Sequence, residues 1–256
     1  MPAEVRDAAT VLLVRDEPHA QGESALEVFM VRRHADSGFV GGHHVFPGGV
    51  VDAADRDPRW AEHSRGSNDP FAVAAVRELL EEAGVLLGAD RHSGAPVKLA
   101  PDVLTEIARS VHSGDASFLE VCQDRGIDVR LEDLIWWSHW ITPVGQPRRY
   151  DTRFYVANAP AEQEAVHDEL ELTAGTWGTP ASFLEQHRRG EIQMILPTVA
   201  NLQSLQPFDS AGDLLAAAAF RGPITPTAPE MRREDDGSIT ILVDGEPVWT
   251  EQAGQS

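Results

Sequence analysis

Three glutamates in one short segment have the spacing that brings carboxylates together on a helix. Glu78, Glu81 and Glu82 stand at i, i+3 and i+4, near the end of the segment RELLEEAGV. Three carboxylates so placed repel one another and face the negative end of the helix dipole. A solvated acidic face is one interpretation, although basic residues at i+4 would then be usual and none appears. A divalent cation is the other, because carboxylate oxygens suit Mg²⁺ or Mn²⁺.

Such a cation site needs a helix with defined ends. Asp69 is a suitable N-cap, Pro70 suits the first turn and Gly84 supplies a stop, so we predict a helix over 71–83. Upstream, an apolar run at 8–14 and an alternating run at 26–32 predict a strand and its hairpin partner. The polar stretch at 52–70 contains Pro58, Gly66 and Pro70, which indicates a loop or an insertion.

The rest of the chain predicts mixed α and β structure. The pattern over 101–132 is helical, 180–189 and 195–206 are further helices, and 135–141 and 150–157 are strands, with the end of another at 176–178. Beyond Gly222, an Asp244-Gly245 turn predicts a hairpin joining 239–243 to 247–249. We expect one domain over 1–221, with a helical insertion at about 101–132, and a C-terminal extension over 222–256.

Composition limits the partners. The 256 residues carry 41 acidic and 21 basic side chains, a net charge of −20, which disfavours nucleic acid and anionic membranes. An anionic substrate would need a local remedy, such as a metal ion or an arginine cluster. Cys122 is the only cysteine and no secretory signal begins the chain, so we expect a cytoplasmic protein. The apolar stretch 214–220 is too short to span a bilayer.

The segment RELLEEAGV resembles the second half of the Nudix box. The typical phenylalanine-proline-glycine-glycine lead-in is present as Phe46-Pro47-Gly48-Gly49. Asp55 stands where the family has glutamate. Between Asp55 and Arg77 lie 21 residues, of which about 14 are extra to the usual box. The insertion within the box therefore covers about 56–70.

The split box and the flanking segments, roughly 8–206, resemble the coenzyme A diphosphatase branch typified by the mammalian peroxisomal enzyme. Residues 253–256 carry no peroxisomal signal, which favours a bacterial-type cytoplasmic relative. An upstream motif of that branch has two arginines and a glycine. Arg33 and Gly42 match it, but Gly38 stands where the second arginine is expected. The resemblance implies a Nudix α/β/α sandwich with a mixed sheet, acting as a Mg²⁺- or Mn²⁺-dependent diphosphatase.

The resemblance also implies roles for individual residues. The implied metal ligands are Glu78, Glu81, Glu82 and the Gly48 carbonyl. Arg77 would orient the glutamates and act with Glu81 and Glu82 in catalysis, and Asp55 would be a helper near the metal, beside the lead-in glycine Gly49. Family members often use a further acid from a distal loop, for which Glu171 is the first choice and Glu169 the reserve; an acidic surface loop is the alternative interpretation. The implied substrate-binding residues are Arg33, Arg148 and Arg149, and the last two could equally belong to a surface strand pair.

Coenzyme A or an acyl derivative is the favoured substrate, cleaved to 3′,5′-ADP and (acyl-)4′-phosphopantetheine. Gly38 in place of arginine keeps a different diphosphate open, such as ADP-ribose, NADH or another nucleotide. A non-catalytic nucleotide-binding module on a Nudix scaffold is a further alternative, which the complete set of box glutamates disfavours. The extension beyond Gly222 is compatible with a dimer arm, and hence a homodimer, or with disorder.

Overall fold

A computed structural model describes residues 3–18, 24–34, 41–163, 165 and 172–251. None of the helices in these ranges has the length and apolar content needed to cross a bilayer. The helices are α1 (Trp60–His63), α2 (Pro70–Ala83), α3 (Pro101–His112), α4 (Phe118–Arg125), α5 (Pro180–Arg188), α6 (Leu196–Leu205) and α7 (Ala211–Ala219). The strands are β1 (Val5–Pro18), β2 (Ser24–Arg33), β3 (His44–Val45), β4 (Gly48–Val50), β5 (Ser64–Arg65), β6 (Gly88–Asp90), β7 (Ile127–Arg130), β8 (Ile135–Ile141), β9 (Arg149–Asn158), β10 (Leu172–Gly178), β11 (Glu230–Arg233), β12 (Ile239–Val243) and β13 (Glu246–Glu251).

A mixed seven-stranded sheet forms the centre of the fold. Its main path is β10-β2-β1-β9-β8, with β3 added to β2 and β4 added to β1. Strands β1 and β9 run parallel, and the other neighbours are antiparallel. The register places Gly48 of β4 opposite Thr10 of β1. The segment after the FPGG lead-in is therefore part of the sheet and has a fixed position on it.

Helices cover both faces of this sheet, because its long strands are apolar on both sides. Along β1, Val11 and Leu13 belong to one core, whereas Leu12 and Val14 belong to the other. Successive strand residues point to opposite faces, so this run supplies both cores. The first core contains residues of α2, α3 and α4, and the second contains residues of α5, α6 and α7. This arrangement confirms the predicted α/β/α fold class.

The box insertion (residues 56–70) and the helical insertion (residues 101–132) pack against each other. Trp60 of α1 is fully buried, and its ring centroid lies 5.3 Å from that of Phe118 in α4. Strand β5 from the first insertion pairs in parallel with β7 from the second, and β6 completes this small sheet. The two insertions therefore form one structural unit beside α2.

Several local predictions need correction. The stretch 52–70 is not a plain loop, since it contains a 3-10 turn (Ala54–Arg56), α1 and β5. The helical prediction over 101–132 is right for α3 and α4 but wrong after them, where β7 and a second 3-10 turn (Leu131–Asp133) follow. The apolar run at 214–220 forms most of α7, which we did not predict. The predicted hairpin is confirmed as β12 and β13, and β11 extends it to three strands.

Candidate active site

Helix α2 carries the three box glutamates and is fixed at both ends. The Asp69 carboxylate caps the first turn, where Oδ1 accepts from the Phe71 backbone N–H at 3.1 Å. Its other oxygen, Oδ2, accepts from Arg153 of β9 at 2.8 Å, which ties the helix to the sheet. Gly84 ends the helix with φ of 63°, a conformation that suits glycine, and donates to the Leu80 carbonyl.

Arg77 lies at the centre of the box carboxylates. Its Nη1 donates to Glu78 Oε1 at 2.7 Å and to Glu81 Oε1 at 2.9 Å. Arg77 and Glu81 are each only 8% exposed, so water screens these contacts little. One guanidinium nitrogen therefore brings two of the three glutamates together.

Asp55 binds the opposite edge of the same guanidinium. Its two oxygens accept from Nε and Nη2 of Arg77, each at 2.9 Å, and the Val50 carbonyl accepts from Nη2 at the same distance. Asp55 is 2% exposed, and its Oδ2 also accepts from the Asp52 backbone N–H. Asp55 and Arg77 are thus in direct contact although the box insertion lies between them in the chain.

The two lead-in glycines let the strand approach the helix closely. The Gly48 backbone N–H donates to Glu82 Oε2 at 2.8 Å. A Cβ on Gly49 would lie 2.4 Å from Glu78 Oε1, so the Glu78 carboxylate fills the space that a side chain would need. A Cβ on Gly48 would lie 2.5 Å from the Ala9 backbone oxygen. Backbone packing therefore requires glycine at position 48, whereas a side chain at position 49 would have to displace the Glu78 carboxylate.

Burial has raised the proton affinity of one carboxylate in this cluster, that of Glu78. The pKa of Glu78 is raised to about 7, first by burial and then by the neighbouring carboxylates of Glu81 and Asp55, although Arg77 opposes the change. Burial alone would lower the pKa of Arg77, but its hydrogen bond to Asp55 and the surrounding carboxylates raise it above the ordinary value. Arg77 therefore stays charged, and its one guanidinium is shared by several carboxylates.

The donor set fits a divalent cation. Within the described ranges, the guanidinium of Arg77 contacts Asp55, Glu78 and Glu81 and lies 3.8 Å from the exposed Asp52, whereas Glu82 Oε1 lies 3.9 Å from the guanidinium of Arg33. When these carboxylates are ionised, their negative charges outnumber the positive charges of the two arginines, and a divalent ion would reduce the excess. As placed, no three His, Cys, Asp or Glu side chains in the described part of the chain form a metal-binding group. To bind an ion, the carboxylates that already accept hydrogen bonds from Arg77 and from the Gly48 N–H would have to contact the ion as well.

The structure brings some predicted residues to this cluster and not others. Arg33 reaches it through Glu82. Arg149 pairs with Val5 of β1, whereas Gly48 pairs with Thr10 of the same strand. The step of five residues from Val5 to Thr10 corresponds to about 16 Å along the strand. The Nε of Arg149 donates to the Thr142 carbonyl, and Arg148 precedes it as an exposed residue. Glu169 and Glu171 lie outside the described residues.

One residue at the cluster was not predicted. His112, the last residue of α3, places Nδ1 at 3.3 Å from Glu81 Oε2. A histidine in the last turn of a helix is explained by the helix dipole alone, so the single sequence carried no signal for this contact. Only the packing of α3 on α2 reveals it.

Comparisons with known proteins identify the family of the chain. A family model described as the NUDT19 Nudix domain matches residues 65–205, more than half of the chain. The chain is 31% identical to acyl-coenzyme A diphosphatase NUDT19 of Gallus gallus, over 93% of this chain and 78% of that protein. It is 28% identical to the protein of the same name from Homo sapiens, over 77% of this chain and 64% of that protein.

A solved structure resembles the fold closely. The crystal structure of a NUDIX hydrolase from Alicyclobacillus acidocaldarius superposes with a TM-score of 0.72 at 29% identity, covering 86% of this chain and 99% of that one. Nudix hydrolases generally use divalent metal ions, in keeping with the charge balance of the carboxylate cluster. The family match and the identity to the avian relative show that the chain belongs to the Nudix family and is a Nudix hydrolase.

Proposed function

We propose that this Nudix hydrolase is a Mg²⁺- or Mn²⁺-dependent coenzyme A diphosphatase. It cleaves coenzyme A or acyl-coenzyme A to 3′,5′-ADP and (acyl-)4′-phosphopantetheine. The reaction class is that of the family, and the substrate is supported by the names of the avian and human relatives. A cytoplasmic location and a homodimer built with the C-terminal extension remain predictions that accompany this proposal.

The observation that carries the proposal is the direct contact between Arg77 and Asp55 across the insertion. The insertion lengthens the chain between these residues, yet the guanidinium still binds Asp55, Glu78 and Glu81 at 2.7–2.9 Å. A binding module would not need this arrangement, because nucleotide binding alone does not require a carboxylate set with unbalanced charge. The retained set favours a metal-dependent hydrolase over a non-catalytic scaffold.

In the proposed reaction, Glu78, Glu81, Glu82 and the Gly48 carbonyl hold the ion. A bound Mg²⁺ or Mn²⁺ supplies charge neutralisation at the diphosphate and lowers the pKa of a bound water. Arg77 keeps Glu78 and Glu81 oriented, because it contacts one oxygen of each. Arg33, whose side chain is about a quarter exposed beside Glu82, would bind an anionic oxygen of the substrate.

The bond changes follow from hydrolysis of an anhydride. The water oxygen forms a bond to one phosphorus, and the bond from that phosphorus to the bridging oxygen breaks. A carboxylate accepts the proton that the water loses, and the bridging oxygen leaves on the other phosphate. The distal acid, Glu171 or Glu169, is the proposed proton acceptor. Two monophosphate esters result, and no oxidant or further reactant is needed.

Product analysis by liquid chromatography and mass spectrometry tests the proposal. The wild-type protein is incubated with coenzyme A, ADP-ribose and NADH, each with Mg²⁺ and with Mn²⁺. Glu82→Gln removes one carboxylate charge from the cluster, and Glu106→Gln makes the same change at an exposed position of α3. We expect 3′,5′-ADP and 4′-phosphopantetheine from coenzyme A, at a rate about 100-fold or more lower in Glu82→Gln, since ion binding contributes several kcal/mol.

Glu106→Gln should match the wild type in every reaction. If AMP formed from ADP-ribose or NADH while coenzyme A stayed intact, the proposed substrate would be wrong and the proposed reaction class would be right. Equal rates for Glu82→Gln and Glu106→Gln would show that the box carboxylate has no part in catalysis. If every substrate stayed intact under every condition, the result would favour a non-catalytic nucleotide-binding module.

A further inference from the structure

A histidine at the end of α3, within the helical insertion, contacts one of the box glutamates. His112 ends α3, and its Nδ1 lies 3.3 Å from Glu81 Oε2, within hydrogen-bond distance. The other oxygen of Glu81 accepts from Arg77 Nη1 at 2.9 Å. The two oxygens of this carboxylate are therefore bound by residues from two different helices, and its orientation is set from both sides.

Helix α3 presents His112 from a firmly packed position. The buried residues Leu104, Ile107, Ala108 and Val111 form one face of the helix, and they share a core with Leu79 and Leu80 of α2. His112 follows directly after Val111, at the edge of this face, and its side chain is 24% exposed. Because the backbone beside it is held by burial, the imidazole needs little ordering to reach Glu81.

We propose that His112 is a positioning residue for the divalent-ion site, donating from Nδ1 to Glu81 and holding that carboxylate ready for the ion. The inference rests on the proposed metal-dependent function and adds a residue from outside the box. A ligand carboxylate fixed by hydrogen bonds binds its ion more tightly than a mobile one, and loss of such a supporting contact costs about 10–100-fold in metal affinity or activity. The helical insertion would then be part of the catalytic apparatus as well as of the fold.

The competing explanation is that His112 only fills space at the end of α3. Two substitutions separate the explanations. His112→Asn keeps an amide N–H donor near the position of Nδ1, whereas His112→Leu keeps apolar bulk and removes the donor. His92→Leu, at an exposed turn after β6, is the matched control for loss of an imidazole.

Mn²⁺ is the probe, and its affinity is measured without substrate by electron paramagnetic resonance of the free ion. We expect His112→Leu to weaken Mn²⁺ binding about tenfold, with His112→Asn and His92→Leu within about twofold of the wild type. With coenzyme A and Mg²⁺, His112→Leu should lower kcat about tenfold and leave KM within about twofold, because Glu81 contacts the ion and not the substrate's distal groups.

Retained Mn²⁺ affinity in His112→Leu would overturn the proposal, as would an equal loss in His112→Leu and His112→Asn. Should His112→Leu fail to fold, His112→Gln takes its place, because its amide reaches the position of Nε2 and not that of Nδ1. A wild-type protein that binds Mn²⁺ but leaves coenzyme A intact would refute the proposed substrate. The order of Mn²⁺ affinities among the variants would still decide the role of His112.

Discussion

Replacing Asp55 by asparagine should weaken both the fold and the reaction, because Asp55 is the buried partner of Arg77. The substitution keeps the shape of the side chain and removes its charge. One carboxylate oxygen becomes an NH₂ group, which cannot accept from Arg77. Since Asp55 is 2% exposed, water cannot replace the lost partner.

The expected magnitude follows from the contacts. Asp55 accepts two hydrogen bonds from Arg77, at 2.9 Å each, and asparagine can accept only one of them. A hydrogen bond to a charged group contributes about 1.5–3 kcal/mol. Breaking a buried ion pair completely costs about 3–5 kcal/mol, but here Arg77 keeps Glu78 and Glu81 as partners. We therefore expect the free energy of unfolding to fall by about 2–3 kcal/mol.

Urea denaturation followed by tryptophan fluorescence measures this loss, and thermal unfolding should show a Tm lower by roughly 5–10 °C. Asp52→Asn is the matched control, since Asp52 has a 63% exposed side chain and lies 3.8 Å from the same guanidinium. It should change the free energy of unfolding by less than about 0.5 kcal/mol. Asp55→Asn should also lower kcat by about 10–100-fold, because Arg77 would no longer be held against Glu78 and Glu81.

A loss of stability in Asp55→Asn no larger than in Asp52→Asn would refute this reasoning, since it would mean that Asp55 contributes nothing through its buried position. Full activity in a destabilised Asp55→Asn would limit Asp55 to the fold and separate it from the orientation of the glutamates.

Six further substitutions, at four positions, probe neighbouring features. Gly49→Ala should lower kcat about tenfold with little loss of stability, because its Cβ would displace the flexible Glu78 carboxylate, whereas Gly48→Ala meets backbone and should cost about 1–3 kcal/mol of unfolding free energy. Asp69→Ala should cost about 2 kcal/mol, and Asp69→Ser about half as much, since serine keeps the N-cap and loses the ion pair. Trp60→Ala should cost about 3–5 kcal/mol by leaving a cavity between the two insertions, and Trp60→Phe clearly less.

Urea denaturation and steady-state kinetics measure the effects of all six substitutions. Equal kinetic and stability effects of Gly48→Ala and Gly49→Ala would contradict the distinction between backbone and side-chain contacts. Equal losses of unfolding free energy in Asp69→Ala and Asp69→Ser would show that the N-cap does not contribute to stability. A Trp60→Ala protein as stable as Trp60→Phe would show that the insertions do not depend on this ring.

The sequence predicted those features whose causes are local. Helix α2 carries its own N-cap, its first-turn proline and its terminal glycine, and its boundaries agree with the prediction to one residue. Strand β8 was predicted with its observed bounds, because a run of apolar and aromatic residues suits a sheet buried on both faces. The glutamates on α2 follow from helical periodicity alone.

Features with distant causes were missed. Strand β5 has two residues, and it exists because β7, more than sixty residues later, supplies its hydrogen-bond partners. The segment of β7 was predicted as helix, since its periodicity carries no trace of that pairing. The contact of His112 with Glu81 likewise depends on how α3 packs, which no local pattern encodes.

The pairing of the two insertions has a consequence for how this chain can be redesigned. An engineer who wished to restore a continuous box would delete residues 56–70, and would thereby remove the strand that β7 pairs with and the ring that covers Phe118. The helical insertion would be left with an uncovered sheet edge and an exposed aromatic surface, both of which favour aggregation. The box insertion and the helical insertion should therefore be transplanted, shortened or removed together.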